Sequence, residues 1–217
     1  MNSTNPENQN AVCITRFIEE SSQMVFLYQG IQGQLFLPPL EFIRLSGAAR
    51  RNIAMYRDFS RSYFHGHIHP DWPDLETAIA NQQRVYDSCV QARELYTVGT
   101  STGGYCSILF GHYLKADIVY AFAAQTAINQ KFLGNIPAGT PPEHRDLSLL
   151  LAEWNGRTRY RMYYSEDFAL DREAAENVAD CPGVELLPLP GSDHNIFNEV
   201  DAEELLTGLF PEPSAGV

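Results

Sequence analysis

Three kinds of side chain in this 217-residue chain could together move a proton and attack an electrophilic carbon. The first is Ser101, at the centre of Gly99-Thr100-Ser101-Thr102-Gly103. A serine hydroxyl is a poor nucleophile at neutral pH, so a base must take its proton during attack. The second is His194, in the stretch Pro190-Gly191-Ser192-Asp193-His194-Asn195. An imidazole titrates near neutral pH and can accept that proton and later return it. The third is a set of acids, Glu166, Asp167 and Asp171. A carboxylate beside the imidazole would fix its tautomer and stabilise the imidazolium. These groups lie far apart in sequence, so the fold has to bring them together.

The elements that could do so alternate along the chain. Residues 24–28, 52–56, 94–98, 117–124, 159–164 and 184–189 are apolar or β-prone runs of strand length. Between them, Asp74 opens a long helix reaching toward Gln91, and a helix follows Ser101 with apolar residues at helical spacing. Asp171 can cap a helix over residues 172–179, and residues 196–210 can form a closing helix. Strand and helix signals in alternation predict an α/β fold with a mainly parallel sheet. Ser101 falls on the turn between a strand and a helix, which demands strained backbone angles. Glycines two residues to either side let strand and helix approach closely enough to make that turn.

Composition removes several alternatives. The net charge is −12, with no local Lys/Arg cluster to offset it, so neither nucleic acid nor an anionic membrane surface is an expected partner. No run of about eighteen apolar residues predicts a membrane span. The first ten residues carry neither a basic region nor an apolar stretch and do not read as a signal peptide. Cys13, Cys89, Cys106 and Cys181 form no Cys-x-x-Cys pair, which points to free thiols and a cytoplasmic location.

A competing constellation is His65-Gly66-His67-Ile68-His69-Pro70-Asp71, where alternating histidines could bind a divalent metal with Asp71 or Asp74. No later motif completes such a site, so no metal is expected. Aromatic packing around Tyr63 and Phe64 is the plainer reading of that loop. Asp58, just after a strand, could pair with Arg57 or Arg61. Tyr105 and Phe110 read as core.

The order serine, acid, histidine, each after a successive strand, resembles the α/β-hydrolase superfamily. The resemblance spans residues 11–210. It rests on Gly99-Thr100-Ser101-Thr102-Gly103-Gly104, on residues 164–175 and on Gly191-Ser192-Asp193-His194. It implies an α/β-hydrolase fold: a mainly parallel twisted sheet flanked by helices, with a small cap from residues 125–157. One domain over residues 11–210 would carry flexible tails at 1–10 and 211–217.

The same resemblance implies that Ser101 is the nucleophile and His194 its base. In the family the acid segment often reads Gly-x-x-Asp-x-x-Val-Pro with an Ala further on. Aligning Leu170 with the Val and Ala175 with the Ala places Asp167 on the acid. Ser165 then replaces the glycine, and the spacing is one residue short. Asp171 would be an N-cap and is the second candidate acid, with Glu166 third. The oxyanion donors would be the backbone N–H groups of Thr102 and Ile31, in a loop where Gln29-Gly30-Ile31 stands for the family's His-Gly-x. Gly30, Gln125 and His65 are the candidate substrate contacts. The expected chemistry is cofactor-free hydrolysis of a small carboxylic ester or thioester through an acyl-enzyme. The same residues would also serve an acyltransferase or cyclase. A non-catalytic binding protein would keep the turn and lack the acid.

Overall fold

The computed structural model describes residues 13–65, 72–128 and 139–212. Its strands are β1 (Cys13–Arg16), β2 (Gln23–Tyr28), β3 (Asn52–Tyr56), β4 (Glu94–Thr100), β5 (Ile118–Phe122), β6 (Arg159–Ser165) and β7 (Val184–Leu189). Its helices are α1 (Pro39–Leu45), α2 (Leu75–Ser88), α3 (Thr102–Tyr113), α4 (Pro142–Arg145), α5 (Leu147–Ala152), α6 (Ala169–Glu176) and α7 (Ala202–Leu206). The strands form one seven-stranded sheet in the order β1-β3-β2-β4-β5-β6-β7. β1 runs antiparallel to β3, and every other neighbouring pair is parallel.

Burial on both faces explains why the central strands read as unbroken apolar runs rather than alternating ones. All six residues of β2 are buried. Met24, Phe26 and Tyr28 face one core, with Tyr105, Leu109 and Phe110 of α3 and with Leu147 and Leu151 of α5. Val25 and Leu27 face the other, with Phe42 of α1 and Leu206 of α7. Helix α3 is buried from Thr102 through His112, so it is apolar almost all round and packs against the middle of the sheet. In a parallel sheet the carboxyl ends of the strands lie along one edge, and there Thr100 pairs with Phe122 and Ser165 with Leu189.

Three expectations need correction. The closing segment is not one helix over residues 196–210: a 3₁₀ turn (Ile196–Asn198) is followed by the short α7. Asp201 restarts the chain by accepting the N–H groups of Glu203 and Glu204, and Gly208 ends it in the left-handed region at φ 75°. Asp171 is not an N-cap, because Phe168 holds that position. Past Gln125, the described part of the expected cap does not line the site. Leu147, Leu150 and Leu151 of α5 are buried in the core, because this segment is the crossover between β5 and β6. Residues 129–138, in the same expected cap, lie outside the described residues.

The expected tails also fall mostly outside, except for Pro211 and Glu212. Arg51 and Gln23 donate to the Pro211 carbonyl at 2.9 and 3.0 Å, and Glu212 meets Arg50 at 3.3 Å.

Candidate active site

Ser101 stands between β4 and α3 with φ 54° and ψ −119°, a conformation that side-chain-bearing residues rarely adopt. Its neighbours make the turn possible. A Cβ on Gly99 would lie 2.0 Å from the Gly103 carbonyl oxygen, and one on Gly103 would lie 2.1 Å from the Tyr28 carbonyl oxygen. Both contacts are with backbone and cannot yield. The Ser101 N–H donates to the Phe122 carbonyl at 2.9 Å, tying the turn to β5.

His194 comes from the loop after β7, and that loop is held from three sides. Ser165 Oγ donates to the Asp193 carbonyl at 2.5 Å, and the Asp167 N–H donates to the Gly191 carbonyl at 3.0 Å. Glu199 Oε2 accepts from the Ser192 and Asp193 N–H groups at 2.6 and 2.7 Å. The rings of Phe36 and Phe168 flank the imidazole, with centroids 5.4 and 5.8 Å away.

The three groups form one chain. His194 Nε2 lies 2.9 Å from Ser101 Oγ, and His194 Nδ1 lies 2.8 Å from Asp171 Oδ1. With the ring proton on Nδ1, Nδ1–H donates to the carboxylate and Nε2 accepts from the serine hydroxyl. The acid in this position is therefore Asp171 and not Asp167, whose side chain is exposed. The cause is the short connection after β6, which makes Asp171 a first-turn residue of α6 facing the histidine loop. Glu166 is also exposed.

The Asp171 side chain is 5% exposed and the His194 side chain 36%. Burial pushes the Asp171 carboxyl above the usual carboxylate range, and the hydrogen bond from His194 works against that shift. Among the described residues its second oxygen, Oδ2, is buried without a partner.

Thr102, the first residue of α3, and Ile31 donate their backbone N–H groups to no other described residue. The Ile31 loop is folded by hydrogen bonds from Gly30 N–H to the Gln34 carbonyl at 2.9 Å and from Gly33 N–H to the Gly30 carbonyl at 2.8 Å. Gly30 passes close to β4, since an added Cβ would lie 3.2 Å from the Thr100 carbonyl oxygen.

A cleft of about 530 Å³ gathers Gly30, Ile31, Ser101, Gln125, Asp171 and His194, together with Phe36, Phe168, Leu170 and Asn195. That volume suits a small organic ligand. Thr102 lines a much smaller adjoining cavity with Ile31, Asp58, Tyr63 and Cys106.

His65 is not brought to the cleft. Its Nε2 lies 2.8 Å from the Tyr105 hydroxyl, and burial followed by the neighbouring His144 lowers its pKa to about 3. His67, His69 and Asp71 lie outside the described residues, among which no group of three or more metal-ligating side chains occurs. Asp58 does not serve as an ion-pair partner in the expected way. Its carboxylate accepts the N–H groups of Ser60, Ser62 and Phe64 at 2.9, 2.7 and 3.1 Å. Phe36, Phe168 and Glu199 carried no sequence signal of their own, being ordinary residues on loops whose approach only the fold sets.

The arrangement can deprotonate a serine hydroxyl and stabilise the resulting imidazolium. No protein-family model matches the sequence, and no curated protein matches it. Solved structures do match. One comes from work on LipS and LipT, two metagenome-derived lipolytic enzymes (16% identity, TM-score 0.60, covering 91% of this chain and 94% of that chain). Another is MenH from S. aureus (11% identity, TM-score 0.62, 89% and 94%). A third is a lipase-esterase related protein from Clostridium acetobutylicum (11% identity, TM-score 0.57, 89% and 96%). At such identities the likeness is one of fold, and the chain has the α/β-hydrolase fold.

Proposed function

We propose that this chain is a serine hydrolase that cleaves a small carboxylic ester or thioester through an acyl-enzyme on Ser101. The observation that carries this reading is the continuous hydrogen-bonded chain from Asp171 through His194 to Ser101, opening on a cleft of organic-ligand size. The fold alone would not, since it hosts many chemistries. Structural neighbours described as lipolytic enzymes and as a lipase-esterase related protein agree with it.

In this reading Ser101 Oγ attacks the acyl carbon as His194 Nε2 takes its proton. The Ile31 and Thr102 N–H groups stabilise the carbonyl oxygen as it becomes negative. Asp171 holds Nδ1–H and stabilises the imidazolium, which then protonates the leaving oxygen or sulfur. Water, deprotonated by the same imidazole, releases the acid. A cytoplasmic site of action accords with four unpaired cysteines.

Labelling with a fluorophosphonate probe tests the mechanism. Wild-type protein is expected to be labelled and to turn over p-nitrophenyl esters, and Ser101→Ala to lose both while remaining folded. Residual turnover above about a tenth of wild type in Ser101→Ala would remove the acyl-enzyme.

A further inference from the structure

Gln125 follows β5 beside the serine turn, and its N–H points to the Ser101 carbonyl at 3.5 Å. The residue is 8% exposed, yet it lines the cleft. Its Oε1 is taken: the Tyr63 hydroxyl donates to it at 2.5 Å. Burial raises the Tyr63 pKa above that of a free tyrosine, so this hydroxyl keeps its proton and remains a donor. With Oε1 occupied, the carboxamide turns its Nε2 donor elsewhere. Nε2 has no partner among the described residues and is not one of the sealed, unsatisfied polar atoms, which leaves it facing the cleft.

The tyrosine is held there at some expense. Arg61, Tyr63 and Phe64 all have positive φ, at 56°, 57° and 61°. Each such residue is strained and persists only where surroundings over-determine it. The Asp58 carboxylate supplies that constraint through the N–H groups of Ser60, Ser62 and Phe64. The Tyr63 ring packs edge-on against Tyr105, centroids 5.0 Å apart. Strain gathered on one loop and resolved as one hydroxyl-to-carboxamide bond is the pattern of a positioned recognition group. Tyr63 also lines the small cavity shared with Ile31 and Thr102, so the partner of Gln125 stands beside the two proposed oxyanion donors. In the hydrolase reading the leaving group is the part that His194 protonates, which leaves the acyl part to meet Gln125.

We infer that the Gln125 carboxamide is a specificity-determining group whose Nε2 donates to a second oxygen of the acyl chain, so that the enzyme takes acyl groups carrying an ether, carbonyl or hydroxyl oxygen near the scissile carbonyl. This rests on the hydrolase reading above. A donor on a residue only 8% exposed discriminates, because a plain hydrocarbon chain seated against it leaves it unsatisfied. Asp58 and Tyr63 act through Gln125 as positioning residues and do not themselves meet the substrate.

Two isosteric pairs of p-nitrophenyl esters test it: methoxyacetate against butyrate, and 3-methoxypropanoate against pentanoate. Each pair exchanges one oxygen for a methylene with the same leaving group, and comparing variants cancels intrinsic reactivity. In Gln125→Leu, the kcat/KM ratio of oxygenated over plain ester should fall about tenfold for at least one pair, the worth of one hydrogen bond. Gln125→Glu keeps the Tyr63 bond but presents an acceptor to the cleft, so its ratio should fall further still. Tyr63→Phe, which leaves Gln125 in place but unoriented, should lower the ratio by a factor of about three. A merely structural Gln125 would depress both esters of a pair together. Ratios that stay within about twofold of wild type in every variant overturn the inference. Fluorophosphonate labelling separates the two readings. Labelled protein with unmoved ratios sinks this inference alone, whereas wild type that is neither labelled nor active sinks the hydrolase reading with it.

Discussion

Asp171 shows how one residue's surroundings decide between structure and chemistry. An aspartate at a helix start ordinarily caps it, but here one carboxylate oxygen is taken by His194 and α6 begins with no side-chain cap at all. Burial raises this carboxyl above its ordinary range. The folded state then binds the proton more readily than the unfolded chain does. Its contribution opposes folding above the raised pKa, and that penalty shrinks as pH falls through it. Asp171→Asn is therefore expected to leave the Tm at about pH 8 unchanged or higher. The same change should lower kcat by about three orders of magnitude or more, because the imidazolium loses its counter-charge. Asp167→Asn, on an exposed side chain, should keep kcat within about twofold. Thermal melts and steady-state kinetics on both variants check this. A Tm loss with intact kcat in Asp171→Asn would show that the pair is structural.

Elements differ in how plainly the sequence announces them, and burial accounts for the difference. Strands β2, β3 and β5 lie close to where apolar runs put them, since strands covered on both faces must be apolar throughout. The turn at Ser101 was legible because only glycine fits at 99 and 103. Strand β1 left no such trace: it has four residues at a sheet edge, and three of them are exposed. The acid was displaced by four residues because pattern alone does not distinguish a loop carboxylate from one in the following first turn. His65 was misplaced for a related reason, as its loop turns away from the cleft to pack on α3.

That packing has a measurable signature. His65 stays neutral in the folded protein, its pKa lowered to about 3 by burial and by His144. The unfolded chain takes up a proton near the ordinary imidazole range, so the folded state binds fewer protons between those limits. Stability from this group is complete above the unfolded pKa and is lost as pH falls toward the folded one. The urea midpoint should therefore drop between about pH 6.5 and pH 4, and His65→Gln should flatten that part of the profile. An identical slope in the variant would place the acid sensitivity elsewhere, with His112 and His144, whose pKa values burial also lowers, as the next groups to test.

At the scale of the whole molecule, the two ends of the parallel sheet have different tasks. The carboxyl ends carry the cleft, and the amino ends carry a polar lock that closes the chain. Arg51, 2% exposed, precedes β3 and donates from Nε to Gln23 Oε1 at 2.7 Å. Its other nitrogens reach the carbonyls of Gly47, Phe210 and Pro211 at 2.7, 3.3 and 2.9 Å, and its guanidinium lies 5.0 Å from the Phe210 ring centroid. Gln23 Nε2 donates in turn to Glu94 at 2.8 Å, so Arg51, acting through Gln23, links the start of β3 to β2, β4 and the last described turn of chain. Removing it strands several buried acceptors at once. Arg51→Ala is expected to lower the unfolding free energy by about 3 kcal/mol, the usual result of breaking a buried charged network from one side. A strand of five residues separates Arg51 from the cleft end of the sheet, so the folded fraction should retain kcat/KM within about twofold of wild type. Urea unfolding and active-site titration, measured on one preparation, decide the matter. A proportionate loss of activity per labelled serine would mean that the two ends of the sheet are coupled, and an unchanged midpoint would mean that the lock carries no stability.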